Sequence, residues 1–196
     1  MKTKWIALVM VFSLISCKNE AQTNTQTSLT SNTVTMNKEN IYQFKVKDLS
    51  GNDFDFASLK GKKIILVNTA SKCGLTPQYK DLEAIYEKYK NKNLVIVGFP
   101  ANNFASQEPG TNSEISAFCQ KNYGVTFPMM SKVSVKGNDM CEVYQFLTQK
   151  AKNGLQDSEV EWNFQKYLIN EKGELEKVVA PQVLPSDASI VDWITN

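Results

Sequence analysis

The chain has 196 residues, with 22 basic against 20 acidic side chains for a net charge of +2, 42% hydrophobic residues and 21% charged ones. These values fit one water-folding domain with short extensions, and argue against a disordered chain, a multi-span membrane protein or a nucleic-acid binder. Every basic residue is Lys: without His there is no Ser-His-Asp hydrolysis, imidazole acid–base chemistry or His-ligated metal, and without Arg there is no bidentate fork for doubly anionic ligands.

Lys2 and Lys4 account for the whole charge surplus and precede an apolar run from Trp5 to Ile15 that is too short to span a bilayer comfortably. Residues 1–16 therefore read as an export signal. The run closes with Leu14-Ile15-Ser16-Cys17, which looks like a bacterial lipobox, so Cys17 is expected to become the first mature residue and carry a lipid. Residues 17–38, rich in Thr, Asn, Ser and Gln, have too little apolar surface to offset their ordering entropy and read as a tether. The folded domain is expected over residues 39–196, held at the cell envelope by a membrane anchor.

Ile41, Phe44 and Val46 have strand-like spacing, and the turn Ser50-Gly51-Asn52-Asp53 before Phe54 and Phe56 predicts a hairpin. Lys62 to Thr69 and Leu94 to Phe99 carry continuous apolar runs, as strands buried on both faces do. Between them Leu82, Ile85, Tyr86 and Tyr89 predict a helix over Pro77 to Lys90, completing a β-α-β unit with parallel strands. Asn112-Ser113 should cap a helix running to about Asn122, with Ile115, Phe118 and Cys119 on one face. A short strand is expected within Phe127 to Val135, a helix over Asp139 to Lys150, a hairpin from Phe164–Ile169 and Glu174–Val179, and a last helix capped by Ser186. The order fits an α/β, thioredoxin-like fold: a central mixed sheet flanked by helices, with an N-terminal hairpin.

Cys73 lies where the first buried strand gives way to the helix, the place where reactive groups gather in open α/β sheets. Helix N–H groups and Lys72 would favour a thiolate there. A buried structural Cys is the plainer alternative, but Gly74 and Pro77 mark a tight turn rather than core. Thr76 stands where a disulfide reductase needs its second Cys, which argues against a general thiol-disulfide oxidoreductase. A lone activated thiol is what peroxide reduction requires: it takes one peroxide oxygen and becomes a sulfenic acid.

The run Asn68-Thr69-Ala70-Ser71-Lys72-Cys73-Gly74-Leu75-Thr76 resembles the active-site segment of the glutathione peroxidase family, with Cys in place of the selenocysteine of some members. Gly98-Phe99-Pro100, followed by Asn102, Phe104 and Gln107-Glu108-Pro109-Gly110, is similar to the family's second signature, and Trp162-Asn163-Phe164 to its third. The resemblance implies a catalytic tetrad of Cys73, Gln107, Trp162 and Asn163, acting on hydroperoxides with no cofactor and no metal. Phe118 to Pro128 resembles members with an internal resolving Cys, which makes Cys119 the partner of Cys73 and a thioredoxin-like dithiol the expected reductant. Glutathione fits less well, because its two carboxylates find no Arg. Cys119 lies on the apolar side of its helix, so that helix would have to move before a disulfide could form. Cys141 is left over as a helix-packing residue or an occasional exposed thiol. Ala101 and Asn103 replace a Cys and a Gln of the family pattern, and Ala105-Ser106 stand where Gly is common, which bears on the loop that presents Gln107. A peroxide-sensing relay would use the same first steps, and a structural surface lipoprotein would use none.

Overall fold

A computed structural model describes residues 38–196; the expected export signal, Cys17 and the expected tether up to residue 37 lie outside the described residues. The domain opens with the expected hairpin, β1 (Lys45–Lys47) and β2 (Asp53–Asp55), paired antiparallel with Val46 opposite Phe54. Its turn is held by the Asp48 carboxylate, which accepts from the Ser50 and Asn52 N–H groups at 2.8 and 2.9 Å. Ile41 and Phe56 fall outside the strands, in short 3-10 turns, and both are fully buried.

The main sheet has four strands in the order β4-β3-β5-β6. β3 (Lys63–Thr69) and β4 (Leu94–Pro100) are parallel, with Ile65 opposite Ile96 and Thr69 opposite Pro100, and α1 (Gln78–Tyr89) crosses between them. β5 (Lys166–Ile169) pairs antiparallel with β3, and β6 (Leu175–Val179) with β5, giving a mixed sheet. One face carries Ile64, Leu66, Val97 and Tyr167, packed against α3 (Glu142–Thr148) through Val143, Tyr144 and Leu147. The other carries Ile65, Val67, Ile96 and Leu168, covered by α1, by α2 (Asn112–Tyr123) and by α5 (Ala188–Thr195) through Leu82, Ile115 and Ile190. The continuous apolar runs of β3 and β4 thus serve two cores at once. Among the described residues no helix is long and apolar enough to cross a membrane.

Several element boundaries differ from the sequence expectation for local reasons. Phe127 to Val135 makes no named strand, only single bridges from Met129 to Gly98 and from Met130 to Asp48. Pro128 has no N–H to give a ladder, and only its carbonyl is used, accepting from Gly98 N–H at 2.9 Å. α2 is capped by Thr111 rather than Asn112: Thr111 Oγ1 accepts from Glu114 N–H and Glu114 Oε2 accepts from Thr111 N–H, a reciprocal capping box. Asn112 instead ties α2 to Ser131 and Lys132. The helix expected to Lys150 breaks at Gln149, which is extended, and a separate turn α4 (Lys150–Asn153) follows. Asp187, not Ser186, caps α5.

Lys166 is fully buried on β5 and donates to the carbonyls of Pro181 at 3.0 Å and Val183 at 2.5 Å. Burial pushes its ammonium down to about 7. An unfolded Lys keeps its proton to about pH 10.4, so between those values the unfolded chain holds more protons and stability rises with pH. Urea unfolding should therefore show a gain of about 1 kcal/mol between about pH 7 and pH 8, below the ordinary thiol range of about 8.5. Lys166→Met should lose that gain, and an equally steep rise in the variant would contradict the assignment.

Candidate active site

β3 and β4 end together, so the segments that follow them, Ala70 to Pro77 and Ala101 to Gly110, leave the sheet at one edge. The first segment runs through tight turns before α1 begins at Gln78, and Cys73 sits inside these turns rather than on the helix itself. Cys73 N–H donates to Thr76 Oγ1 at 3.0 Å, and that hydroxyl donates to Ala70 O at 2.8 Å. Thr76 thus locks the turn at the position where a reductase would carry its second thiol. Cys73 is 7% exposed as a residue, and its sulfur accepts the Leu75 N–H at 3.4 Å. A turn amide, not the helix end, is therefore the donor available to a Cys73 thiolate.

Hydrogen bonds join the three signature segments directly. Lys72 N–H donates to Gln107 O at 3.0 Å, and Ser71 Oγ to the Glu108 carboxylate at 2.6 Å. Asn163 Nδ2 donates to Gln107 Oε1 at 3.0 Å. Asn68 Nδ2 donates to Trp162 O at 3.0 Å, while Phe164 N–H donates to Asn68 O at 2.6 Å. Phe164 has a positive φ of 66°, the left-handed kink that turns the chain from Trp162 and Asn163 into β5. Trp162 is half-buried, its ring packed on Phe104 at 5.4 Å.

The amide pair has a chemical direction. Because Gln107 Oε1 is occupied by Asn163, the free end of Gln107 is its NH2, a donor. Asn163 is fully buried and its Oδ1 has no protein partner, so that acceptor is sealed beside Gln107. The half-buried Gln107 donor suits a hydroperoxide, whose departing oxygen gathers charge as the O–O bond breaks. Among the described residues no three His, Cys, Asp or Glu side chains cluster as a metal site needs.

Cys73, Cys119 and Cys141 are free thiols. Cys119 lies on the buried face of α2 and shares an apolar cluster with Cys73, Tyr79 and Phe164. Burial pushes its thiol up to about 11, against a smaller opposing effect of the Tyr79 hydroxyl beside it. Cys141 stands on the far side of the sheet, before α3, among residues packed on the opposite core. The sheet therefore groups Cys73 with Cys119 and sets Cys141 apart.

Glu108, Asn68 and Thr76 carry more of this geometry than their motif positions suggest. Each is fully or almost fully buried, and burial of a polar residue in a loop leaves no mark on sequence periodicity.

The family model for glutathione peroxidase matches residues 41–148. The glutathione peroxidase-like peroxiredoxin gpx1 of Schizosaccharomyces pombe is 50% identical over 155 residues, which cover 76% of this chain and 97% of that protein. The apo crystal structure of Trgpx superposes with a TM-score of 0.63 at 35% identity, covering 80% of this chain and 96% of that one. A thiol:disulfide interchange protein from Chlorobium tepidum TLS shares the thioredoxin-like fold, with a TM-score of 0.57 at 19% identity over 81% of this chain and 97% of that one.

Ala105 and Ser106 adopt φ values of 50° and 53°, which cost a residue with a Cβ roughly 1–2 kcal/mol each. The Gly common at this point in the family pattern would relieve that strain. Ser106→Gly should raise stability to urea by about 1 kcal/mol; an unchanged or lower midpoint would show that the left-handed turn is not strained.

Proposed function

The chain belongs to the glutathione peroxidase family, and from that premise we propose a thiol peroxidase cycle built on Cys73, Gln107, Trp162, Asn163 and Cys119. The enzyme is a peroxidase, an oxidoreductase of thioredoxin-like fold. The Cys73 thiolate attacks one oxygen of the hydroperoxide, the O–O bond breaks, and the departing oxygen leaves as water or alcohol once protonated, with a sulfenic acid left on Cys73. The Gln107 NH2 and the Trp162 indole N–H stabilise the charge that gathers on the departing oxygen. Asn163, fully buried, holds the Gln107 amide in that orientation. The observation that carries this reading is the 3.0 Å amide bond between Asn163 and Gln107, because it orients both groups.

Cys119 then attacks the Cys73 sulfur, water leaves, and an intramolecular disulfide remains. The third thiol supports this choice, since Cys141 packs on the opposite face of the sheet. α2 must unwind locally around Cys119 first, which makes resolution a conformational step. A thioredoxin-like dithiol returns the disulfide to two thiols. Peroxiredoxin is the word in the name of the 50%-identical yeast relative, and the lack of any Arg leaves no fork for the two carboxylates of glutathione. The reading extends to location: Cys17 carries a lipid, residues 18–38 tether the domain, and the enzyme works at the cell envelope, where lipid hydroperoxides are within reach.

Cys73→Ser should abolish peroxide reduction, and retained turnover would remove the central residue. After peroxide treatment, non-reducing mass spectrometry should find Cys73 linked to Cys119; a Cys73–Cys141 link would overturn the resolving assignment. Fatty-acid labelling in cells should mark the wild type and not Cys17→Ser, and a label kept by the variant would refute the anchor.

A further inference from the structure

The resolving step needs a proton acceptor, because a thiol pushed up to about 11 supplies almost no thiolate at neutral pH, and the chain has no His to take the proton. Glu108 is the only fully buried carboxylate among the described residues. Its Oε1 accepts from Ser71 Oγ at 2.6 Å, while its Oε2 is buried with no partner. Its backbone is fixed at both ends: Glu108 N–H donates to Asn102 Oδ1 at 2.9 Å, and Lys132 Nζ donates to the carbonyls of Glu108 and Gly110 at 3.2 and 2.6 Å. Glu108 borders a groove of ≈ 340 Å³ together with Ser71 and Lys72, which precede Cys73, and with Ile115 and Phe118 of α2. The carboxyl thus lies between the Cys73 turn and the helix that carries Cys119.

We propose that Glu108 carries the proton of the resolving step, an inference that rests on the assignment of Cys119 above. As α2 opens, the carboxylate takes the proton of the Cys119 thiol. The thiolate attacks the Cys73 sulfur, the S–O bond of the sulfenic acid breaks, and the departing hydroxide takes the proton from the carboxyl and leaves as water. The Cys119 sulfur is oxidised and the Cys73 sulfur reduced by one oxidation unit each, so no outside reagent is needed. Burial raises the carboxyl above the ordinary Glu range, and Ser71, Lys132 and Lys72 oppose that rise, so the group can both accept and return a proton. The remaining ionisable groups near it are Cys119 and Tyr79, which feel its charge, and Glu114 on the groove wall.

Rapid-quench mass spectrometry on the full chain, with a dione to trap sulfenic acid, separates the two steps. Glu108→Gln should slow closing of the Cys73–Cys119 disulfide about 10–100-fold more than it slows formation of the Cys73 sulfenic acid, with a flattened pH profile that Glu108→Asp partly restores. Ser71→Ala keeps the carboxyl but removes the 2.6 Å bond that favours its charged form, so the midpoint of the disulfide-closing profile should move to higher pH. A wild-type closing rate in Glu108→Gln, an equal loss in both steps, or no shift in Ser71→Ala would overturn the role. Absence of any Cys73–Cys119 disulfide in the wild type would instead overturn the resolving assignment, and this proposal with it.

Discussion

Parallel pairing of β3 with β4 is the constraint from which the site follows. Thr69 lies opposite Pro100, so the two longest buried strands release the chain at the same edge and deliver the Cys73 turn and the Gln107 loop to one place. β5 enters beside β3 from the opposite direction, which brings Trp162 and Asn163 to the same edge just before the strand begins. The lateral bonds then act over short distances: Lys72 to Gln107, Asn163 to Gln107, and Asn68 to the backbone of Trp162. None is individually large, at about 1 kcal/mol net for a typical bond, but several shared among three segments leave little freedom to the groups they orient.

The composition shapes the chemistry as strongly as the fold does. With neither His nor Arg, hydrogen-bond donation at the site falls to amides, the Ser71 and Thr76 hydroxyls, backbone N–H groups and one indole, which neither gain nor lose charge near neutral pH, while the Lys132 ammonium holds the Glu108 backbone. Two thiols of different character meet on one face of the sheet. Cys73 sits in a turn with an amide on its sulfur, whereas Cys119 is sealed within a helix and held protonated by burial. In the proposed cycle such a pair separates the two oxidations in time, because the first needs only peroxide access and the second needs α2 to open.

The β-α-β unit and both hairpins were legible in the sequence because Ile64 to Val67 and Leu94 to Val97 are long apolar runs and because Gly and Asn mark the turns. The three signature segments that carry the proposed tetrad were legible, each read with its neighbours. Boundaries were less so. Thr111 outcompetes Asn112 as the cap because Glu114 lies three residues on and completes the box, and Asn112 is drawn off by Ser131 and Lys132, which only the fold brings near. The expected strand near Phe127 failed because Gly98 bonds only single residues of that segment. Burial of Glu108 and Lys166 was invisible for a plain reason: charged residues in a sequence look exposed until packing from distant segments covers them.

The account stands on Cys73 turning over peroxide with electrons from a protein dithiol. Its most direct test is a steady-state assay of hydroperoxide consumption by the full chain, with either a thioredoxin system or glutathione as reductant. The account predicts sustained turnover with thioredoxin and little with glutathione. A single stoichiometric oxidation followed by no turnover with either reductant would contradict it and would mark the chain as a sensor.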